Sequence, residues 1–278
     1  MLCFPNAKIN LGLNVIEKRN DGYHNLETIF LPISFFDALE IIETNNDSTF
    51  QSIGLPIPGD IQHNLVWKAY DLLKKDFASQ IPSLQIYLHK VIPMGAGLGG
   101  GSSDAAHLLL LLNKEYHLGL EAPSLLKYAL ALGSDCPFFI KNKAQYATGR
   151  GEIMSDIEMP DCSNYSLELY LPQLHVSTAT AFKHILPQKS SFDLRALSQL
   201  AIEDWQYYIK NDFETTVFQV HSELKALKNE LIQKGAIYAA MSGTGAAIFA
   251  VVPKSTTLNI TYHLLPYKKY YFESFLQP

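Results

Sequence analysis

Residues 93–106 are the part of this chain whose composition points most directly to chemistry. They read Pro-Met-Gly-Ala-Gly-Leu-Gly-Gly-Gly-Ser-Ser-Asp-Ala-Ala and lead into a Leu-rich segment with helix-forming composition. Glycines have no Cβ, so their backbone amides can approach an anion closely, and Ser102, Ser103 and Asp104 are suitable N-cap residues for the helix. A helix N-terminus adds free N–H groups and the positive end of its dipole. The pattern predicts a phosphate-binding loop.

Other interpretations of this glycine-rich loop, defined as residues 93–103, fit less well. A surface turn that caps a core helix would suit one pair of glycines, but five glycines stand within seven residues. The spacing of Gly95, Gly97 and Gly100 also matches the dinucleotide fingerprint, with Glu121 downstream as the ribose-binding acid. Glu121, however, falls in a predicted turn rather than at the end of a second strand. The Walker pattern fails because no Gly-Lys-Ser/Thr follows the loop.

Hydrophobic periodicity predicts the elements that position the loop. Apolar residues alternate with polar ones over 7–15, which predicts a half-buried strand with Lys8 and Asn10 on its polar face. Asp21-Gly22 is typical of a hairpin turn. The other predicted elements are strands within 26–42 and at 84–88, 167–171, 236–242, 246–252 and 269–275, and helices at 63–73, 104–115, 123–132, 195–210, 213–234 and 255–265. The later elements approach a β-α-β-β-α-β order with one extra helix, the ferredoxin-like unit. We predict two domains, 1–155 and 156–278.

Composition favours a globular enzyme over a nucleic-acid-binding or membrane protein. The 278 residues are 47% hydrophobic, enough for a sizeable core, and the net charge of −5 comes without a basic stripe. Three distant cysteines without Cys-x-x-Cys predict neither disulfides nor a structural zinc and suit a reducing cytoplasm. Neither a signal peptide nor a membrane-spanning run is visible. We expect a cytoplasmic protein that acts on a small molecule, without nucleic-acid or membrane partners, as a monomer or weak homodimer.

Three motifs resemble those of the GHMP kinases, a family of small-molecule kinases. They are the glycine-rich loop, residues 6–11 (Asn-Ala-Lys-Ile-Asn-Leu) and residues 242–246 (Ser-Gly-Thr-Gly-Ala). Residues 5–26 and 132–139 are similar to the family members whose acceptor carries a cytidine diphosphate. The resemblance implies an α+β, two-lobe GHMP kinase fold. Its N-terminal lobe, which binds ATP, would resemble domain 2 of ribosomal protein S5, and its C-terminal lobe would be ferredoxin-like.

The resemblance implies transfer of the γ-phosphoryl group of ATP to a hydroxyl group, with Asp135 as the base. Lys8 would be its partner, a cation that keeps Asp135 ionised and offsets charge on the transferred group. The alternative is that Asp135 caps a helix starting at Pro137 and that Lys8 is a solvated strand residue. Cys136 stands where valine is common in the family, which predicts sensitivity to thiol reagents.

The nucleotide is assigned by the same resemblance to the glycine-rich loop. The implied ATP-binding residues there are Pro93, Met94, Gly95, Ala96, Gly97, Leu98, Gly99, Gly100, Gly101, Ser102 and Ser103. Asn64 matches a family position near the adenine, but it is equally suited to capping the helix that follows it. Mg²⁺ is expected to arrive with ATP, with Ser103 as a candidate contact, because no cluster of carboxylates indicates a metal site built by the protein.

The resemblance assigns the cytidine of the acceptor to residues 21–24. His24 would hydrogen-bond the cytosine edge, Tyr23 would stack on its face, and Phe182 would close the other side. The other residues assigned to the acceptor are Asn10, Thr178, Gly243 and Thr244. Alternatively, Tyr23 and Phe182 are core aromatics, His24 is a satisfied turn residue, and Gly243 belongs to a simple hairpin turn.

Two further functions stay open. One is a GHMP kinase for another alcohol, such as homoserine or a mevalonate-type acid. The other is a catalytically inactive relative that binds nucleotide as a sensor or scaffold. The presence of Lys8, Asp135 and a complete glycine-rich loop counts against the second.

Overall fold

The computed structural model describes residues 1–183, 185–254, 256–260 and 266–274. The strands, in chain order, are β1 (Leu2–Cys3), β2 (Asn6–Lys18), β3 (His24–Phe36), β4 (Ala38–Thr44), β5 (Thr49–Gly54), β6 (Ser83–Lys90), β7 (Gln145–Gly149), β8 (Ile153–Asp156), β9 (Tyr165–Pro172), β10 (Tyr238–Met241), β11 (Ile248–Pro253) and β12 (Tyr267–Phe272). The α-helices are α1 (Leu65–Asp76), α2 (Gly100–Glu115), α3 (Ala122–Leu132), α4 (Cys136–Lys141), α5 (Thr178–Lys183), α6 (Trp205–Tyr208), α7 (Phe213–Val220) and α8 (Ser222–Gln233). Short 3₁₀ turns cover Ile61–His63, Leu194–Gln199 and Ile202–Asp204.

The first of two compact units comprises residues 1–7, 35–94 and 99–142. Its sheet has the order β1-β4-β6-β5, in which β5 runs parallel to β6 and the other pairs are antiparallel. Helix α2 is apolar on most of its surface, with Leu108, Leu109, Leu111 and Leu112 all buried. A helix of that composition belongs in an interior, and its leucines pack with those of β6 and α1 in the core of this unit.

The second compact unit comprises residues 8–34, 95–98 and 143–278. It contains two four-stranded sheets, with the orders β2-β3-β7-β8 and β10-β11-β9-β12. The second sheet is antiparallel throughout, and its four strands follow the ferredoxin-like arrangement that the order of elements predicted. Apolar side chains of β2, β9 and β11 and of α7 and α8 form the core.

The strand predictions are confirmed, but β2 is more buried than its alternating sequence predicted. The hairpin turn at Asp21-Gly22 joins β2 to β3. All ten residues from Asn6 to Val15 are buried, rather than every second one. The polar side chains are covered because Asn10 bonds to Thr28 and Lys8 lies over the Phe30 ring. Along its edge, β2 is covered by Leu98 and Ser242, with the Lys8 N–H donating to the Leu98 carbonyl at 2.9 Å and the Asn10 N–H to Ser242 Oγ at 3.2 Å.

The start of α2 corrects the expected N-cap. The helix begins at Gly100, and Gly99 occupies the N-cap position with a left-handed backbone (φ +69°). Ser102, Ser103 and Asp104 therefore lie inside the helix. Glycine tolerates the left-handed conformation that a polar cap residue would adopt only at a cost, so the chain enters the helix earlier than the hydroxyl residues suggested.

The predicted helix at 195–210 is wrong as a continuous element, and that at 213–234 is interrupted. The first segment forms two 3₁₀ turns and the single turn of α6, and each buries its own anchor: Leu197, Ile202 and Trp205. The chain then becomes extended because the Leu13 N–H and carbonyl bond to the backbone at 210 and 212, both at distances below 3.0 Å. His221 (φ −120°, ψ 71°) separates α7 from α8.

Other predictions fall on the ends of the described chain. The predicted helix at 255–265 includes residues 255 and 261–265, which lie outside the described residues, and 256–260 form no helix. The last strand spans Tyr267–Phe272, and residue 275 of the predicted strand also lies outside. Within the described part of the chain, none of the helices has the length and apolarity that a membrane span requires. The domain boundary at residue 155 stays a prediction.

Candidate active site

The middle of the glycine-rich loop is held against the turn between β10 and β11. Ser242 Oγ donates to the Gly97 carbonyl at 2.8 Å, and the Ala247 N–H donates to the Ala96 carbonyl at 3.2 Å. Gly97 has φ +79°, and a Cβ there would lie 1.9 Å from the Ser242 carbonyl oxygen. Only glycine fits both the space and the backbone angle. Two motifs that are about 145 residues apart in the sequence thus form one surface.

The end of the loop is the N-terminus of α2. Gly95, Gly97 and Gly99 all have positive φ, so the loop turns repeatedly before Gly100 enters the helix. The Ser103 N–H already bonds to the Gly99 carbonyl at 2.9 Å. The preceding amides in the first turn have no acceptor within the helix, and no acidic residue lies in that turn. This arrangement suits an anion, as the sequence predicted.

Lys8 and Asn10 point to the same side of β2 and are joined by a hydrogen bond. Lys8 Nζ donates to Asn10 Oδ1 at 2.6 Å, and Asn10 Nδ2 donates to Thr28 Oγ1 at 3.0 Å. Lys8 is only 4% exposed, which excludes the interpretation of a solvated strand residue. Its ammonium group also lies 5.0 Å from the centre of the Phe30 ring. A buried, oriented cation of this kind can stabilise negative charge in a reacting group.

Asp135 occupies the N-cap position of α4, but its side chain makes no capping hydrogen bond. The interpretation of Asp135 as a side-chain helix cap is therefore wrong. The turn before α4 is instead closed by the backbone, since the Cys136 N–H donates to the Gly133 carbonyl at 3.2 Å. Asp135 is half-buried.

Cys136 does not have the environment that the predicted sensitivity to thiol reagents requires. The residue is fully buried. Burial, the largest cause, raises the pKa of its thiol to about 11, against a smaller lowering from its hydrogen bond with Ser102. Since the thiolate is the reactive species, this thiol is inert at neutral pH while the protein is folded.

Two of the predicted cytidine residues, His24 and Phe182, form a stacked pair, and the third, Tyr23, is exposed. The ring of His24 stacks on that of Phe182, with centroids 4.9 Å apart and planes 29° apart. Phe182 also packs edge-on against Phe213, so the core fixes one side of it. Tyr23 is 55% exposed, which excludes the core interpretation, and the Arg150 guanidinium lies 5.0 Å from its ring centre. Burial, together with Lys18, lowers the pKa of His24, which favours the neutral imidazole that can both donate and accept a hydrogen bond.

Gly243 and Thr244 lie in the hairpin turn between β10 and β11, which packs against the glycine-rich loop. A Cβ on Gly243 would lie 3.2 Å from the Gly97 Cα and 3.4 Å from Asn10 Oδ1. Asn211 holds this turn in place by two hydrogen bonds. Its Nδ2 donates to the carbonyls of Met241 and Gly243 at 2.7 and 2.8 Å. Sequence reasoning missed Asn211, because a lone asparagine between predicted helices carries no signal for such a contact.

Three other predicted site residues are Asn64, Ser103 and Thr178, and two of them already make contacts within the protein. Asn64 is the N-cap of α1, where its side chain accepts the Val66 N–H at 2.8 Å. Ser103 is buried, with its Oγ 3.3 Å from His107 Nδ1. Thr178 is exposed at the start of α5. Ligand contacts of Asn64, Ser103 and Thr178 stay predictions.

The sequence pattern also did not predict a buried cluster of charged residues. Lys90 Nζ bonds to carboxylate oxygens of both Asp37 and Asp104 in the first compact unit. The three positions are widely separated in sequence and follow no motif. Among the described residues, no group of three His, Cys, Asp or Glu side chains is arranged to hold a metal ion.

Known families and known proteins match most of this chain. The family model for the GHMP kinases N terminal domain matches residues 64–143, and that for the GHMP kinases C terminal domain matches residues 185–263. A protein of Bacteroides fragilis named 4-diphosphocytidyl-2-C-methyl-D-erythritol kinase is 48% identical over 90% of this chain and 92% of its own length. A protein of the same name from Chlorobium limicola is 37% identical over 89% of this chain and 87% of its own.

Solved structures show the same fold. A crystal structure of 4-(cytidine 5'-diphospho)-2C-methyl-D-erythritol kinase matches with a TM-score of 0.77 and 32% identity, covering 90% of this chain and 89% of that one. The homoserine kinase of Cytophaga hutchinsonii matches with a TM-score of 0.64 at 15% identity, covering 96% of this chain and 94% of its own, and shows the fold alone.

Proposed function

The chain belongs to the GHMP kinase family, and from this membership we propose that it phosphorylates the 2-hydroxyl group of 4-diphosphocytidyl-2-C-methyl-D-erythritol. ATP supplies the phosphoryl group, and the products are ADP and the 2-phosphate. This step belongs to the non-mevalonate (MEP) route to isoprenoid precursors. The observation that carries the substrate assignment is the stacked pair of His24 and Phe182, preceded in the chain by the exposed Tyr23, on a chain 48% identical to a relative of that name.

These side chains suit a cytosine base for physical reasons. An exposed Tyr23 ring offers a face on which a flat base can stack. A neutral His24 held against Phe182 can present one ring nitrogen to the hydrogen-bonding edge of the base. Because a site built to pair with particular polar groups rejects analogues that lack them, His24 is the residue we assign to discrimination between acceptors.

Asp135 is proposed as the base that takes the proton of the acceptor hydroxyl, and Lys8 as the cation that offsets charge on the transferred group. The support for Asp135 is its place in the motif at 132–139 that resembles the family, half-buried at the N-cap position of α4. The support for Lys8 is that it is buried and that its hydrogen bond to Asn10 fixes the direction of its side chain. With these groups held in place, catalysis in this family requires positioning rather than covalent chemistry.

ATP is proposed to bind through the glycine-rich loop, with its phosphates at the N-terminus of α2. The positive φ of Gly95, Gly97 and Gly99 and the acid-free first turn of the helix support this placement. We propose that Mg²⁺ enters bound to the nucleotide, where it would neutralise phosphate charge. Asn64 remains the candidate for the adenine, with its side-chain oxygen already engaged in the cap of α1.

We also propose that the protein works in the cytoplasm as a monomer or weak homodimer. Its three cysteines are free thiols, two of them buried, which suits a reducing compartment. Light scattering on purified protein would decide the oligomeric state.

The test is ADP release measured with a panel of acceptors. We expect turnover with 4-diphosphocytidyl-2-C-methyl-D-erythritol and none with methylerythritol phosphate, homoserine or mevalonate. His24→Ala should raise KM for the cytidyl acceptor while leaving KM for ATP unchanged, and His221→Ala, a histidine outside the assigned site, should change neither. Turnover of homoserine or mevalonate by both wild type and His24→Ala would refute the assignment.

A further inference from the structure

Both ends of the glycine-rich loop are held by one buried charged cluster, formed by Asp37, Lys90 and Asp104. Lys90 is the last residue of β6, just before the loop, and Asp104 lies in α2, just after it. The side chains of Lys90 and Asp37 have no exposed surface, and that of Asp104 is 2% exposed. The cluster therefore lies in the dry interior at the base of the loop.

The hydrogen bonds of this cluster join the two stems of the loop. Lys90 Nζ donates to Asp37 Oδ2 and, at 2.7 Å, to Asp104 Oδ2. Asp37 Oδ1 accepts the N–H groups of Val91 at 2.5 Å and Ile92 at 2.9 Å. One ammonium group thus links the end of a strand to the start of a helix, and one carboxylate fixes the backbone that leads into the loop.

Gly100 brings the helix directly onto the cluster. A Cβ at Gly100 would lie 2.9 Å from Lys90 Nζ and 2.8 Å from Ile92 Cγ2. The backbone of Gly100 is helical without a positive φ, so the role of glycine here concerns space rather than conformation. With any larger residue, Lys90 and Ile92 or the start of α2 would have to shift.

Stability alone is a poor explanation for this cluster. Desolvation of a buried ion pair often cancels its attraction, so apolar residues of similar size can be equally stable. One oxygen of Asp104, Oδ1, is buried without a hydrogen-bond partner, which is a further cost. Apolar side chains cannot supply directional contacts that fix the distance between a strand end and a helix start.

We propose that Asp37, Lys90 and Asp104 form a clamp that holds the glycine-rich loop in the geometry that binds nucleotide phosphates, with Lys90 and Asp104 as positioning residues. The inference rests on the proposed function, because it takes this loop as the ATP site. A loop held at both stems loses less conformational freedom when it binds an anion, so the clamp acts on ATP affinity. The clamp does not affect the affinity for the phosphoryl acceptor.

The test compares two substitutions of Asp104. Asp104→Leu keeps the branch at Cγ, with methyl groups larger than the carboxylate oxygens, but removes the acceptor for Lys90, whereas Asp104→Asn keeps an oxygen at the same place. For Asp104→Leu we expect KM for ATP, and the dissociation constant of a fluorescent ATP analogue, to rise about tenfold, which corresponds to about 1.4 kcal/mol of binding. The acceptor KM and the kcat at saturating ATP should stay within about twofold of wild type, and Asp104→Asn should restore ATP affinity.

Lys269→Met is the matched control. It breaks a contact between a different lysine and a buried carboxylate, in which Lys269 Nζ lies 2.8 Å from Glu168 Oε1. We expect it to lower the melting temperature without changing KM for ATP. If Asp104→Leu is insoluble, Asp104→Ser, whose hydroxyl is one bond too short to reach Lys90, replaces it with the same expectation.

Different results would contradict the clamp and the proposed function. A normal KM for ATP in the Asp104→Leu or Asp104→Ser variant, or a loss confined to kcat, would overturn the clamp while leaving the proposed function intact. A wild-type protein that turns over no cytidyl acceptor and binds no ATP would refute the proposed function, and the clamp with it.

Discussion

Gly97→Ala is the substitution whose effect can be worked out most fully from the structure. The new Cβ would lie 1.9 Å from the Ser242 carbonyl oxygen and 2.8 Å from its carbon, whereas ordinary contact begins at 3.4 Å. The loop must therefore move about 1.5 Å from the turn between β10 and β11. That movement breaks the 2.8 Å hydrogen bond from Ser242 Oγ to the Gly97 carbonyl.

The expected loss has two parts. A left-handed backbone (φ +79°) costs alanine about 1 to 2 kcal/mol relative to glycine, and the lost hydrogen bond costs about 1 kcal/mol. A total of about 2 to 3 kcal/mol taken from the binding-competent loop weakens ATP binding about 30- to 150-fold. Steady-state kinetics with varied ATP, and titration with a fluorescent ATP analogue, would measure it.

Gly119→Ala separates the clash from the backbone cost. Gly119 has a similar φ of +69°, but a Cβ there would meet nothing within 4 Å. We expect this variant to lose about 1 to 2 kcal/mol of stability and to keep its KM for ATP. A Gly97→Ala protein whose KM for ATP stayed within about twofold of wild type would refute the account of the loop and turn as one surface.

Three further predictions concern buried polar groups. Asn211→Ala should lower both the melting temperature and ATP affinity, because it leaves the carbonyls of Met241 and Gly243 without their donor, at about 1 to 3 kcal/mol for each buried group; unchanged thermal unfolding would contradict this. Burial, the largest cause, raises the pKa of Asp104 to about 8 against a lowering by Lys90, so we expect the folded state to keep a proton there that the unfolded chain releases near pH 4. The contribution of this proton to the free energy of unfolding is fully present below about pH 4 and is lost as the pH rises towards 8. The limiting slope of that loss is about 1.4 kcal/mol per pH unit. Urea unfolding at pH 5 and 7.5 should therefore show a larger loss for wild type than for Asp104→Asn, and equal losses would show that Asp104 is ionised in the folded protein. Cys136 should resist N-ethylmaleimide at pH 7.5 in the folded protein, with activity retained, and react only after denaturation; rapid inactivation through Cys136 would contradict its burial.

Local sequence pattern was sufficient for the elements whose burial follows one face. The alternation over 84–88 and 167–171 gave β6 and β9, and the glycine-rich composition at 93–103 gave the loop. Asp21-Gly22 gave the first hairpin because its turn chemistry is local. These features depend on neighbours in the chain, which the sequence displays directly.

The features that sequence pattern missed depend on partners distant in the chain. β2 is buried from Asn6 to Val15 because the glycine-rich loop and the residues after β10 pack along its edge and bond to the N–H groups of Lys8 and Asn10. Lys90 finds Asp37 at a separation of 53 residues, and no periodicity links the two. The predicted helix at 195–210 is wrong because its apolar residues are buried in separate short turns. In addition, the backbone that follows is extended because it forms hydrogen bonds with Leu13.

The central claim is transfer of a phosphoryl group to one hydroxyl of one acceptor, and product identity tests it most directly. Purified protein would be incubated with Mg-ATP and 4-diphosphocytidyl-2-C-methyl-D-erythritol and followed by phosphorus NMR, beside Asp135→Asn. The account predicts ADP and a new phosphomonoester at the 2-position from wild type, and a rate about 10² to 10⁴ times lower from Asp135→Asn. Absence of that product from folded, ATP-binding wild type would contradict the account, and equal rates from both proteins would remove Asp135 as the base.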